Sequence, residues 1–195
     1  IFLNRWIKLL NIRLNVDFVE GIHYSIMFYG GKLLTHISMK PFQFFNDEFI
    51  YLLKLNRKAM IIIDRDGISP DSKLNQTKAR INAETKRGNC WITKGREIEN
   101  YLSKNTLIQW LNEKHPNIPK SKIKVQEDEN KKLQEIILSS SSKIKIKYNE
   151  KKVEYSKEII KHIDDKDLDI WDLKNRLNFL IKNIEEWNYI EPRNE

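Results

Sequence analysis

Residues 59–67 read Ala59-Met60-Ile61-Ile62-Ile63-Asp64-Arg65-Asp66-Gly67. The apolar run is short, continuous and β-branched, and it is bounded by charge. Those features predict a strand buried on both faces, as in a parallel sheet covered by helices. The run ends in two aspartates two positions apart, followed by glycine. Carboxylates at i and i+2 beyond a strand end can both face a hard cation such as Mg2+, and glycine lets the backbone turn closely past the ion. Strand-end aspartates also cap turns without binding anything, so a third acid nearby is needed to favour a metal.

That acid appears further along the chain. After a polar loop containing Pro70, residues 72–86 have the spacing of an amphipathic helix that Gly88 would stop. Cys90-Trp91-Ile92-Thr93 predicts a second short strand, and it runs into Lys94-Gly95-Arg96-Glu97-Ile98-Glu99-Asn100-Tyr101-Leu102. Strand, helix and strand in succession imply a parallel sheet with helices on its faces. Ligands of such sheets bind beyond the carboxyl ends of the strands. Asp64, Asp66, Glu97 and Glu99 all follow strand ends, so they are expected to converge on one edge. Residues two apart on a helix point to different faces, and a first-turn acid also complements the helix dipole. Of the two glutamates, Glu99 is the preferred ligand.

Working outward, residues 1–14 place Phe2, Trp6, Leu9, Leu10 and Ile12 mostly at helical spacing. Residues 22–29 look strand-like, and Gly30-Gly31 marks a turn. Leu33, Leu34 and Ile37, and then Phe45, Phe49, Leu52 and Leu53 after Pro41, suit two further helices. On the other side, Trp110 and Leu111 close a short helix before Pro116. The 120–150 stretch is rich in Lys and Glu and contains Ser139-Ser140-Ser141-Ser142, so a mobile segment is expected there. Residues 151–163 read as helix. Residues 171–187 are strongly amphipathic, with Leu173, Leu177, Leu180, Ile181 and Ile184 on one face. No internal repeat is present. The chain divides into an α/β part, residues 1–103, and a mostly helical part, residues 104–195.

Composition narrows the function classes. With 40% hydrophobic residues in a chain of 195, a sizeable core is available and wholesale disorder is excluded. No apolar run has the length of a membrane span. The first ten residues lack the pattern of a signal peptide, and the absence of an initial Met suggests a fragment. The single cysteine, Cys90, allows neither an internal disulfide nor a Cys-based zinc site, which suits a reducing cytosol. It reads as a small buried hydrophobe. The histidines are scattered without zinc-motif spacing, and His23 and His36 read as structural or surface residues. No Gly-rich phosphate loop is present. The aromatic residues of 42–51 read as core or interface, not as a base-stacking platform. A net charge of +8 favours a polyanionic partner, although Lys-rich, AT-biased genomes also yield basic proteins with no such partner.

The run Ile61-Ile62-Ile63-Asp64-Arg65-Asp66-Gly67, then a helix, then Trp91-Ile92-Thr93-Lys94-Gly95-Arg96-Glu97-Ile98-Glu99-Asn100-Tyr101-Leu102 resembles the Toprim domain of OLD-family ATP-dependent endonucleases. The second run is the more specific part, and the likeness covers most of residues 1–187. The resemblance implies a Toprim-like, mostly parallel sheet flanked by helices, with a helical C-terminal appendage. It also implies a two-metal (Mg2+ or Mn2+) endonuclease acting on DNA in the cytoplasm, in anti-phage defence or DNA processing. Asp64 and Asp66 match the family's Asp-x-Asp metal ligands and Glu99 its later acid. Lys152 is the best match for a downstream lysine near the scissile phosphate. An ATPase domain would lie upstream in the same parent protein, and a homodimer is a further implication. Toprim domains begin with a strand ending in Glu-Gly before a helix, and that strand is expected to lie upstream of Ile1. Val19-Glu20-Gly21 imitates it, but a strand-like segment follows, so Glu20 reads as a surface acid.

Two other readings stand beside this one. The apolar strand with Asp-x-Asp-Gly also resembles the nucleophile motif of haloacid dehalogenase-like phosphatases, in which the first Asp is phosphorylated. That family needs a later acidic pair after a buried strand, whereas Asp164-Asp165 follows a helical, Lys-rich segment. The chain could also be a non-catalytic DNA-binding or dimerisation fragment, with the 171–187 helix as its interface.

Overall fold

The computed structural model describes residues 1–27, 58–67, 76–85 and 89–190. The helices expected near 32–37 and 42–55, the stop at Gly88, and His36 lie outside them. Among the described residues the architecture mixes helices with one small parallel sheet. Strands β1 (Ile61–Ile63) and β2 (Cys90–Ile92) pair in parallel, with Ile62 opposite Trp91. Helix α2 (Gln76–Glu84) connects them. The alternation of a strand sends Ile62 toward the main core and Ile61 and Ile63 toward a small cluster with Ile81, Cys90 and Ile92. Both faces of β1 are thus apolar and half-buried. That arrangement is why its sequence is a continuous run and not an alternating one.

Helix α1 (Phe2–Leu14) buries Phe2, Trp6, Ile7 and Leu10, and ends at Asn15, which adopts a left-handed conformation with φ 53°. Asparagine tolerates that conformation better than most residues. After β2 the chain forms a 3-10 turn at Ile98–Tyr101 and then helix α3 (Lys104–Lys114), whose N-cap Ser103 accepts the Thr106 N–H at 3.1 Å. Helices α4 (Leu133–Ser139), α5 (Lys152–Ile159) and α6 (Leu173–Trp187) follow. The expected apolar face of α6, Leu173, Leu177, Leu180, Ile181 and Ile184, is buried.

Two expectations need correction. Residues 22–27 do not form a strand: Gly21, Ile22 and His23 turn, and a single bridge pairs Glu20 with Tyr24. Residues 28 and 29 lie outside the described residues. The 120–150 segment, expected to be solvated, packs into the core. Ile123, Val125, Leu133, Ile136, Ile137, Ile144, Ile146 and Tyr148 are all buried. Its Lys, Glu and Ser residues suggested solvation, but isolated apolar residues between them anchor the segment in the core.

One hydrophobic cluster takes residues from both sides of position 103, from Phe2 and Trp6 through Trp91 and Tyr101 to Leu177 and Ile184. Tyr101 stands near its centre, edge-on to Trp6, Trp91 and Trp171 at 5.6–6.3 Å between rings. Among the described residues, no helix is long and apolar enough to cross a membrane.

Candidate functional site

The residues after β1 and β2 meet beyond the carboxyl ends of the strands. Thr93, the residue following β2, ties the two segments together: its hydroxyl accepts the Arg65 N–H at 2.9 Å and donates to the Gly95 carbonyl at 2.8 Å. The Asp66 N–H reaches the Arg96 carbonyl at 2.8 Å. The chain is close-packed at Gly95. A Cβ there would lie 3.0 Å from both Asn100 Cγ and the Trp171 ring, so the position has no room for a side chain.

Asp64 and Glu99 face each other electrostatically. Asp64 Oδ1 accepts the Ile98 N–H at 2.7 Å. Burial first, and then the charge of Glu99, push its carboxyl up to about 6, against the lowering pull of the Ile98 N–H and Lys152. Glu99 is 2% exposed. One of its oxygens holds the Lys152 ammonium at 2.5 Å, while Oε2 is buried without a partner. Lys152 opens α5. Burial works against its charged form, but Glu99, then Glu97 and Asp64, outweigh that cost and hold the ammonium above its usual range. Buried Tyr148 shares its hydroxyl with Ser156 at 2.9 Å. Burial, with Glu99 and then Glu97 adding to it, raises the phenol well above its ordinary range.

The two glutamates take different paths, as their spacing predicts. Glu97 turns away to accept the Leu133 N–H at 2.7 Å, capping α4. Burial and then Glu99 raise its carboxyl, with the Leu133 N–H and Lys152 pulling the other way. Glu97 therefore feels the centre without sharing the Glu99 position.

Asp66 is placed differently from the convergent ligand expected. Its backbone is left-handed at φ 60°, its side chain is 68% exposed, and its carboxylate is paired with Lys78 of α2. Lys78 also donates to the Asp64 carbonyl at 2.6 Å and the Arg65 carbonyl at 3.3 Å. It thereby closes the end of β1 from the helix side. Sequence reasoning missed Lys78, the one lysine of α2, because nothing in the local pattern shows that its side chain turns toward the end of β1. It also missed Tyr148, which lay in the segment read as mobile. Glu20 is exposed and accepts from Asn4 Nδ2 at 2.6 Å.

The remaining residues of the 91–102 run are tied up in support. Asn100 caps the 3-10 turn through the Glu97 N–H at 2.8 Å, and donates to the Asp128 and Lys131 carbonyls at 2.9 and 2.8 Å. Arg65 reaches the Glu129 carbonyl and Asn130 side chain at 2.9 and 2.8 Å. The Tyr101 hydroxyl donates to Asp172 at 2.7 Å and accepts the Lys94 N–H at 2.9 Å. The 128–131 loop is thereby fastened against the candidate site.

The donor set suits a hard divalent cation in two respects. Buried Glu99 has an oxygen without a partner, and burial with the charge of Glu99 raises the proton affinity of Asp64, which a cation would relieve. Among the described residues no three His, Cys, Asp or Glu side chains are grouped so as to hold a metal ion by themselves. Asp64 and Glu99 are the pair that meets. Comparison with protein-family models, curated proteins and solved structures gives no match to this chain.

Proposed function

We propose that this chain is the Toprim-like nuclease part of an OLD-like ATP-dependent endonuclease and that it hydrolyses DNA phosphodiesters with Mg2+ or Mn2+. The observation that carries the reading is Lys152. A lysine selected from a distant stretch of sequence lies on Glu99, beside Asp64, beyond the ends of two parallel strands.

Charge explains what such a centre needs. Asp64, Glu97 and Glu99 gather three carboxylates around the Lys152 ammonium, so an anionic phosphodiester needs a cation beside them. Asp64 and Glu99 would hold the cation, and Asp66 joins them only by giving up Lys78. When bound, the metal supplies Lewis-acid polarisation of the phosphate and lowers the proton affinity of a coordinated water. The protein's own contribution is orientation and charge. The Ile98 N–H and the β1 end fix Asp64, and the 3-10 turn fixes Glu99. Lys152, half-exposed at 49%, can leave Glu99 and donate to the phosphate oxygen on which charge develops.

The test is nicking of supercoiled plasmid with Mg2+ or Mn2+ by the chain and by its Asp64→Ala and Lys152→Ala variants. Divalent-dependent cleavage that both substitutions abolish supports the reading. Cleavage unchanged in Asp64→Ala, or none by any of the three, would sink it. Turnover of a small phosphate ester without DNA cleavage would instead favour a haloacid dehalogenase-like phosphatase with Asp64 as nucleophile.

A further inference from the structure

Away from the acidic centre, α1 and the end of α5 border an open groove of about 530 Å³. Arg5 and Lys8 line it from α1, and Lys157 and Lys161 from the other side. Arg5 fixes the spacing of the two walls, donating through Nε and a terminal nitrogen to the Ile163 carbonyl at 3.2 and 2.6 Å. The neighbouring carboxylates are already engaged. Glu158 is held by Lys114 at 2.7 Å, and Asp165 lies 3.8 Å from Arg13. Lys8, Lys157 and Lys161 are exposed, and among the described residues none of them forms an ion pair.

We propose that this groove is a second nucleic-acid contact, which binds the phosphate backbone of duplex DNA without reading its sequence. The proposal takes the identity of the polyanion from the nuclease reading, but its site and its test are separate from the acidic centre. Three features favour this occupant. Lys157 of α5 and Lys161 of the 3-10 turn that follows it line one wall, and Arg5 and Lys8 of α1 line the other, so positive charge borders the groove on both sides. Among the described residues no aromatic ring lines the groove, and stacking platforms are what single strands use. Among the described residues, Ile1 and Ile160 are the apolar residues that line it, too few for the buried apolar and aromatic anchors of a protein interface. What remains is fixed positive charge, the footprint of backbone binding.

The experiment is fluorescence anisotropy of a labelled DNA duplex with the whole chain, in EDTA to exclude cleavage, over a series of salt concentrations. It compares wild type, Lys8→Gln/Lys157→Gln/Lys161→Gln, and a charge-matched control, Lys120→Gln/Lys143→Gln/Lys145→Gln. The groove triple should lose at least tenfold in affinity, and its log K against log salt slope should shrink by about 2 to 3. The control triple should bind nearly as wild type. Equal losses in groove and control triples would overturn the proposal, as would absence of duplex binding by wild type or tighter binding of a single strand. Failure of cleavage with groove-dependent binding intact would remove the nuclease reading and leave the groove standing. Circular dichroism melting of each variant separates lost binding from lost fold.

Discussion

At the scale of single residues, Asp64 sets burial against charge. The unfolded chain ionises it near its ordinary 3.8, whereas the fold keeps the proton to about 6. Folding therefore favours the protonated acid. Its contribution to stability is complete below about pH 4 and is lost as pH rises through 6, by up to about 3 kcal/mol. Asp64→Asn should remove that loss, so urea titrations in EDTA should find the variant more stable than wild type at pH 7.5 and nearly equal at pH 4. A constant difference across pH would refute the shift. Divalent cation should reverse the wild-type loss, raising Tm more at pH 7.5 than at pH 5, and should do nothing for Asp64→Asn. Lys152→Gln leaves the 2%-exposed Glu99 carboxylate with neither oxygen paired. Breaking a buried pair costs about 3–5 kcal/mol, and the half-exposure of Lys152 reduces this to about 1–3 kcal/mol. Adding Glu99→Gln should recover part of the loss, which a double-mutant cycle would measure. Asp64 and Glu99 were legible in the sequence because strand ends in a parallel sheet share an edge. The engagement of Asp66 with Lys78 was not, because it depends on where a helix side chain lands in three dimensions.

At the scale of elements, the 91–102 run has little sequence freedom because almost every member carries a tertiary bond. Gly95 is the clearest case. Alanine there would press its Cβ against Asn100 and the Trp171 ring, and overpacking costs about 1–3 kcal/mol. Gly95→Ala should lower the urea midpoint by a matching amount and weaken metal binding through the displaced Asn100 turn. An unchanged midpoint would mean that the turn relaxes freely. Glu97→Ala should cost about 1 kcal/mol through the lost cap on α4, with a smaller effect on cation affinity than Glu99→Ala. Helices α1, α3, α5 and α6 were legible from apolar periodicity. The sequence left open whether 98–101 is helical, and the segment forms a 3-10 turn. The anchoring of 120–150 was passed over on composition, although its periods are there to read: Ile123 and Val125, and again Ile144, Ile146 and Tyr148, alternate with exposed lysines, and Leu133, Ile136 and Ile137 have helical spacing. Short alternating and helical runs bury their apolar members even where lysine and serine dominate the composition.

At the scale of the whole molecule, composition placed a boundary near residue 103, whereas packing runs across it. Trp6, Trp91 and Tyr101 belong to the same buried cluster as Leu168, Leu177, Ile181 and Ile184. The Tyr101 hydroxyl is bonded to Asp172, Tyr101 packs against Trp171, and α1 packs against α6. Removing residues 104–195 would expose three large aromatic side chains, each worth about 1.5–3 kcal/mol or more when buried. It would also leave the phenol without Asp172, and Asn100 without the Asp128 and Lys131 carbonyls. The candidate site would suffer with the core, since Lys152 comes from α5 and Glu97 is fixed by α4. Residues 1–103 expressed alone should therefore show no cooperative unfolding in urea and no divalent-dependent gain in Tm, whereas the full chain should show both. A cooperative transition in the shorter chain would mean that the cluster divides into two independently stable halves, and that the composition boundary is a folding boundary after all.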